Sequence, residues 1–294
     1  MLLLTGATGS IGSRLLPLLL ERGEDVRCLV RDPRRLGPRR VDVQIALGDL
    51  GELADPHTLR QSLRGVDTVV HLAATIRDQP PRRIEELNGL ATVRLLQAAA
   101  RVGVRRFVFF SALDAGAAQR TRFFRAKWVA EQAVESSALE TSVFAPSIVY
   151  DQSDPWITLL RRFSFLPVLP VSGEGRAAFQ PIWARDVAEC VVGALDAETL
   201  RPRYELAGPE TLTYDEMADL VGRIAGRPRD LLHLPLPAVK ASLVALRAVF
   251  GEAVFATWEE AELMEVAMLS GRGAADAQAL GVEPRRMRDV LATA

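Results

Sequence analysis

Leu2-Leu3-Leu4-Thr5-Gly6-Ala7-Thr8-Gly9-Ser10-Ile11-Gly12 runs an apolar strand directly into a glycine-rich turn. Glycine at the first of these positions permits a tight turn. At the second it allows close approach of backbone to a pyrophosphate, and at the third close packing of helix on strand. A helix starting here points unpaired N–H groups at phosphate oxygens. Gly6, Thr8, Gly9, Ser10, Ile11 and Gly12 are therefore candidate contacts for a bound dinucleotide. Such spacing alone is a weak signal, and its surroundings decide. Ile11, Leu15, Leu16, Leu18, Leu19 and Leu20 give Ser10 to Arg22 the apolar face of a helix packed on a sheet. Gly23 ends that helix, and a second strand is expected over Asp25 to Val30. Pro17 removes a backbone hydrogen bond and predicts a kink.

The alternation continues. Strands are predicted over Leu2 to Thr5, Val43 to Leu47, Thr68 to Leu72, Phe107 to Ser111 and Ser142 to Ala145, with helices over Pro56 to Leu63, Arg83 to Arg101 and Phe123 to Ser136. This rhythm predicts an α/β, Rossmann-like doubly wound parallel sheet. After Pro146, prolines at 155, 167, 170 and 181 break the pattern. The expected organisation is a dinucleotide-binding domain over 1–149 and a smaller, mostly helical lobe over 150–294, with room for elements returning to the main sheet. Helices are expected there over Asp186 to Leu195, Tyr214 to Ile224, Pro237 to Phe250, Thr257 to Leu269 and Leu280 to Leu291. The apolar residues of Pro237 to Phe250 and Thr257 to Leu269 suit lobe packing or, alternatively, a docking surface for a protein partner or a second copy.

Composition narrows the function. The chain has 294 residues, 49% of them hydrophobic, and 36 Lys plus Arg against 37 Asp plus Glu, so no global field favours nucleic acid. No apolar run reaches the ~18 residues of a membrane span. The leucine-rich start lacks a basic leader and a small-residue cleavage site, and reads as strand and helix. Cys28 and Cys190 offer neither metal spacing nor a disulfide framework, so no metal is expected and a reducing, cytoplasmic setting is.

Cofactor choice turns on the end of the second strand, where an acid would hold a ribose 2′-OH. Val30-Arg31-Asp32 stands there. A guanidinium pairs with a 2′-phosphate, so Arg31 favours NADP(H) over NAD(H), the alternative being Asp32 turned inward toward NAD. In Gly48-Asp49-Leu50, Asp49 and Leu50 are candidate cofactor contacts, Asp49 placed either to accept from an adenine amino group or to shape a turn. Ala73 and Ala74, past the fourth strand, leave room for the cofactor. His71, inside that strand, reads as a satisfied core histidine.

Together with Asn88 before Thr92-Val93-Arg94-Leu95-Leu96 and with Arg106-Phe107-Val108-Phe109-Phe110-Ser111, these segments resemble the short-chain dehydrogenase/reductase superfamily in its extended, atypical branch. Gln180-Pro181-Ile182-Trp183-Ala184-Arg185-Asp186 and Tyr204-Glu205-Leu206-Ala207-Gly208-Pro209 resemble the subgroup of the NAD(P)H-binding accessory subunit of respiratory complex I and its bacterial relatives. The resemblance implies that Ala145-Pro146-Ser147-Ile148 lies beside the nicotinamide, making Pro146 and Ile148 cofactor contacts. It also implies a catalytic tyrosine four residues before a lysine, the lysine lowering the phenol pKa and holding the ribose. The lysine is Lys127, but Phe123 occupies the tyrosine position. Ser111 matches the serine that bonds a substrate carbonyl, leaving Ser111 and Lys127 as the catalytic candidates, with Lys127 also a cofactor contact. Tyr150 is either a displaced donor or a packing residue. The expectation is a cofactor-binding, redox-related or complex-associated protein. The alternatives are an NADP-dependent oxidoreductase acting on a quinone or small carbonyl, and a nucleotide-sugar epimerase or dehydratase.

Overall fold

The computed structural model describes residues 1–49, 51, 56–250 and 257–293. Its first half alternates strand and helix: β1 (Leu2–Thr5), α1 (Ser10–Glu21), β2 (Val26–Val30), β3 (Gln44–Leu47), α2 (Pro56–Ser62), β4 (Thr68–His71), α3 (Ala91–Val102), β5 (Arg106–Phe110), α4 (Arg122–Glu135) and β6 (Glu140–Pro146). Then follow β7 (Val149–Tyr150), α5 (Pro155–Phe163), β8 (Leu169–Ser172), β9 (Ala178–Phe179), β10 (Ile182–Trp183), α6 (Ala184–Leu195) and β11 (Arg203–Leu206). The chain continues through β12 (Leu212–Thr213), α7 (Tyr214–Ile224), β13 (Leu231–Leu234), α8 (Leu236–Phe250), α9 (Trp258–Leu263), α10 (Ala275–Ala279) and α11 (Met287–Ala292).

Seven strands form one parallel sheet in the order β11-β6-β5-β4-β1-β2-β3, so β1 lies inside it with β2 and β4 on either side. A strand covered on both faces needs no polar alternation, which is why β1 is wholly apolar up to Thr5. α1 and α6 cover one face, where Leu15, Leu19, Val187 and Val191 meet Leu4, Val108 and Phe110. α3 and α4 cover the other, where Leu95, Ala130 and Val134 meet Leu3, Val69, Phe107 and Phe109. Thus α6 and β11, late in sequence, complete the layers begun by the first half. A third core joins Ile157, Leu160, Phe179, Met217, Val221, Leu263 and Met287 in the smaller lobe.

Three expectations change. α1 runs through Pro17 as one helix, because the carbonyl deprived of its donor belongs to solvent-exposed Ser13. Leu280 to Leu291 is not one helix: α10 stops at Ala279, Gly281 takes φ +80°, and α11 begins only at Met287. Beyond α9 the chain does not continue helical to Leu269; Met268 instead forms a bridge to Phe179. The lobe is mostly helical, as expected, and adds three two-stranded sheets, β10–β7, β12–β9 and β13–β8. In its C-terminal segment Leu243 and Leu263 are buried, Leu263 within the lobe core. Among the described residues, no helix is long and apolar enough to cross a membrane and no group of side chains could hold a metal ion.

Candidate dinucleotide-binding site

The three glycines of the first turn have different roles. Gly6 has φ +75°, and a β-carbon there would lie 2.7 Å from the Ala73 nitrogen, so β1 and the end of β4 meet only because it has no side chain. At Gly12 a β-carbon would overlap the Gly6 carbonyl oxygen. Gly9 is different: its β-carbon would touch nothing closer than the Gly6 oxygen at 3.4 Å, so the space beside it is open. Gly9 is the N-cap of α1, with no side-chain cap and no acid in the first turn, so the helix N–H groups stay available to an anion. Thr8 and Ile11 are half-buried around this opening, and Ser10 is exposed beside it.

Ser10 is nevertheless anchored. Its hydroxyl donates to Asp154 Oδ1 at 2.6 Å, and the other carboxylate oxygen of Asp154 accepts from the Asp151 N–H at 2.6 Å. One turn along α1, Arg14 forms a bidentate pair with Asp151 at 2.7 and 2.8 Å. Burial raises the pKa of Asp154; burial would do the same for Asp151, but Arg14 holds it below its ordinary range. The N-terminal end of α1 is thereby pinned to the segment that follows β7.

A directional chain of hydrogen bonds stiffens the floor of the site. Thr92 donates to the Asn88 carbonyl at 2.7 Å, so its hydroxyl accepts from His71 Nε2 at 2.9 Å. His71 Nδ1 then accepts from Thr5 at 2.7 Å, and the Thr5 oxygen accepts from the Ala73 N–H at 3.3 Å. His71 is the core histidine expected: burial, then the charge of Lys127, pushes its pKa down to about 3. Asn88 extends the chain outward, bonding Thr75 and Ile84 through its amide. It lies in a π-helical turn, Glu86–Leu90, just before α3.

Near the ends of β2 and β3, where the adenosine is expected, Arg31, Asp49, Gln79, Pro80, Pro81, Arg82 and Leu87 line an open cleft of about 330 Å³. Arg31 donates to Gln79 Oε1 at 2.8 Å. Asp49 accepts from the Gly51 N–H at 3.0 Å and pairs with Arg82 at 3.2 Å. Ala73 is half-buried and Ala74 exposed along the path from this cavity to the glycine turn. Leu50, expected beside Asp49 as a cofactor contact, lies outside the described residues. Gln79 and Arg82 were not foreseen, because the long segment between β4 and α3 carries no periodicity that would assign it to the β2 and β3 ends.

Where the nicotinamide is expected, Lys127 is buried and its Nζ donates to the Phe110 carbonyl at 2.6 Å. Burial drives its pKa down to about 7, opposed by neighbouring Glu131. Phe123 is half-buried, with its ring centre 5.7 Å from that nitrogen and 5.6 Å from the ring of Phe124. Its ring packs against the edge of the lobe core. Pro146 and Ile148 are buried at the carboxyl end of β6 and just beyond it. The Ser111 hydroxyl is buried with no hydrogen bond of good geometry among the described residues, yet it lies near enough to Glu131 to oppose the rise that burial gives that carboxyl. Arg203 sits 3.2 Å from the same carboxylate. Tyr150 is fully buried and packs in the lobe core, its hydroxyl without a partner among the described residues; burial, then Asp186, raises its pKa.

The chain is similar to several known proteins. A 30% identical relative over 247 residues, covering 83% of this chain and 81% of that one, is the (4-alkanoyl-5-oxo-2,5-dihydrofuran-3-yl)methyl phosphate reductase of Streptomyces griseus. The NAD(P)H azoreductase of Xenophilus azovorans is 30% identical over 254 residues, 84% of this chain and 81% of that one. The mitochondrial NADH dehydrogenase [ubiquinone] 1 alpha subcomplex subunit 9 of Arabidopsis thaliana is 28% identical over 250 residues, 80% of this chain but only 60% of that longer protein. Among solved structures, the UDP-glucose 4-epimerase of Thermus thermophilus superposes with a TM-score of 0.73 over 99% of this chain and 96% of that one; at 21% identity this establishes the fold alone. The family described as NAD(P)H-binding matches residues 6–198, from the first glycine of the turn to the end of α6 and just past it, and the chain belongs to it.

Proposed function

We propose that this protein binds NADP(H) and serves a redox-related or complex-associated role without the tyrosine acid of its superfamily. The observation that carries the proposal is the contrast between the two ends of one site. The glycine turn is shaped so closely that Gly6 and Gly12 admit no side chain. At the other end Phe123 stands one helical turn from Lys127, and phenylalanine has no proton to give. When bound, the nicotinamide supplies hydride chemistry. The residues assigned to it are the N–H groups at Gly9 to Gly12 for the pyrophosphate, Arg31 and Asp49 for the adenosine, Ala73 and Ala74 along its path, and Pro146, Ile148 and Lys127 at the nicotinamide and its ribose. Ser111 is assigned only to a polar group of an acceptor. Residues 1–149 form the cofactor-binding part and 150–294 the part that meets an acceptor, a protein partner or a second copy.

Arg31 supports NADP(H) over NAD(H), since it lines the cavity while the Asp32 carboxylate turns back to accept from the Arg34 N–H at 2.9 Å. Titration of the chain with both cofactors tests this; NADH binding as tightly as NADPH refutes the preference. A second reading, a working reductase, is favoured by the two 30% identical relatives that are reductases. Hydride delivery to an acceptor whose product is protonated by water needs no tyrosine. NADPH consumption across quinones, azo compounds and small carbonyls distinguishes the two: turnover of any of them selects the reductase, and none with saturated cofactor selects the binding role. Epimerase chemistry is the weakest reading, because it draws on the missing phenol.

A further inference from the structure

We propose that Arg82 is a second specificity-determining residue, which shares a cofactor 2′-phosphate with Arg31 and releases Asp49 for the adenine as it does so. The proposal rests on the NADP(H) reading above. It starts from the turn Gln79–Arg82, whose ends exchange backbone hydrogen bonds of 3.0 and 2.9 Å around Pro80 and Pro81. That closed turn presents both end side chains to the adenosine cavity. Gln79 meets Arg31, and its amide nitrogen donates to Thr75 Oγ1 at 3.2 Å; Thr75 in turn is held by Asn88. Arg82 lies in the space a side chain at Gly51 would fill, and pairs with Asp49 across it.

The cavity therefore holds two guanidinium groups and one carboxylate. A phosphate monoester, with about −1.5 to −2 charge at neutral pH, suits such a pair better than one carboxylate can. Moving Arg82 from Asp49 to the phosphate also frees a carboxylate oxygen to accept from the adenine amino group. The two recognitions are thus coupled: NADPH gains both, whereas NADH leaves Arg82 on Asp49 and meets an adenine acceptor already engaged. Discrimination comes from an occupied competitor as well as from a new contact.

The test is isothermal titration of the full chain, wild type, Arg82→Ala, Arg82→Lys and Arg31→Ala, with NADPH, NADH, adenosine 2′,5′-bisphosphate and 5′-AMP. Arg82→Ala is expected to weaken NADPH and the bisphosphate about tenfold or more, the size of one charge-assisted contact, while NADH and 5′-AMP hold within about twofold or tighten. Arg82→Lys is expected to recover part of the loss and shows that the fold is intact. Equal weakening of phosphorylated and unphosphorylated ligands by Arg82→Ala, or of neither, overturns the proposal. If Arg31→Ala abolishes the NADPH preference and Arg82→Ala does not, the NADP(H) reading stands and this proposal falls. If wild type shows no preference for the 2′-phosphate, both fall.

Discussion

Lys127→Met is expected to stabilise the cofactor-free chain at neutral pH. The ammonium group is buried against the Phe110 carbonyl, and burial takes its pKa from an ordinary 10.5 to about 7. In the unfolded chain lysine keeps its proton up to its ordinary value. Between about pH 7 and 10.5 the unfolded state thus binds the extra proton, so stability rises with pH across that window and this group's cost is greatest at and below pH 7. At ~1.4 kcal/mol per pH unit the full difference is roughly 5 kcal/mol. Methionine keeps the length and removes the charge, but forfeits one hydrogen bond worth about 1–1.5 kcal/mol and the attraction of Glu131. The net expectation is a gain of about 2–3 kcal/mol at pH 7 and loss of the rise toward pH 10. Urea unfolding at pH 7, 8.5 and 10 measures it. A variant less stable than wild type at pH 7, or a wild-type curve flat over this range, refutes the reasoning that burial, and not pairing, sets the state of Lys127.

Other consequences follow from the same geometry. His71 is neutral when folded, so stability should fall as pH drops from 6.5 toward about 3, by up to roughly 5 kcal/mol; His71→Gln, which can keep both hydrogen bonds, should flatten that limb of the urea midpoint. Gly12→Ala should destabilise by about 1–3 kcal/mol or more, read as a lowered urea midpoint, because a β-carbon has nowhere to go. Gly9→Ala should melt like wild type yet lose the upward shift that NADPH gives, and a lowered melting temperature without ligand would contradict the assignment of Gly9 to ligand approach. A double-mutant cycle on Arg14→Ala and Asp151→Ala should return a coupling on the order of 1 kcal/mol, kept small by the partly exposed arginine; a value near zero would mean the bidentate pair does not brace α1.

The central sheet was legible because β1, β4 and β5 are covered on both faces and so read as unbroken apolar runs bounded by glycine or polar residues. Tyr214–Ile224 was legible to the residue, since its capping box from Thr213 to Glu216 marks the start. β9 and β10 were not, because two residues carry no period, and neither was the break at Gly281, where an apolar pattern crosses a glycine and Pro284 without becoming one helix. In the site, residues contiguous with the glycine turn or a strand end announced themselves by position. Those brought in from loops did not: Asp151 and Asp154 reach α1, and Arg82 reaches Asp49, only through the topology of the sheet. Phe123 needed no structure, as one-turn spacing from Lys127 names the face it shares.

The braces on α1 bear on how separable the nucleotide-binding half is. Ser10 and Arg14 hold Asp154 and Asp151, α6 covers Leu15 and Leu19, and β11 closes the open side of β6. A fragment ending at residue 149 would leave an apolar helix face in water and a bare strand edge on the same sheet. Such a fragment should aggregate instead of binding nucleotide, so a transplant of the site has to carry the chain at least through β11.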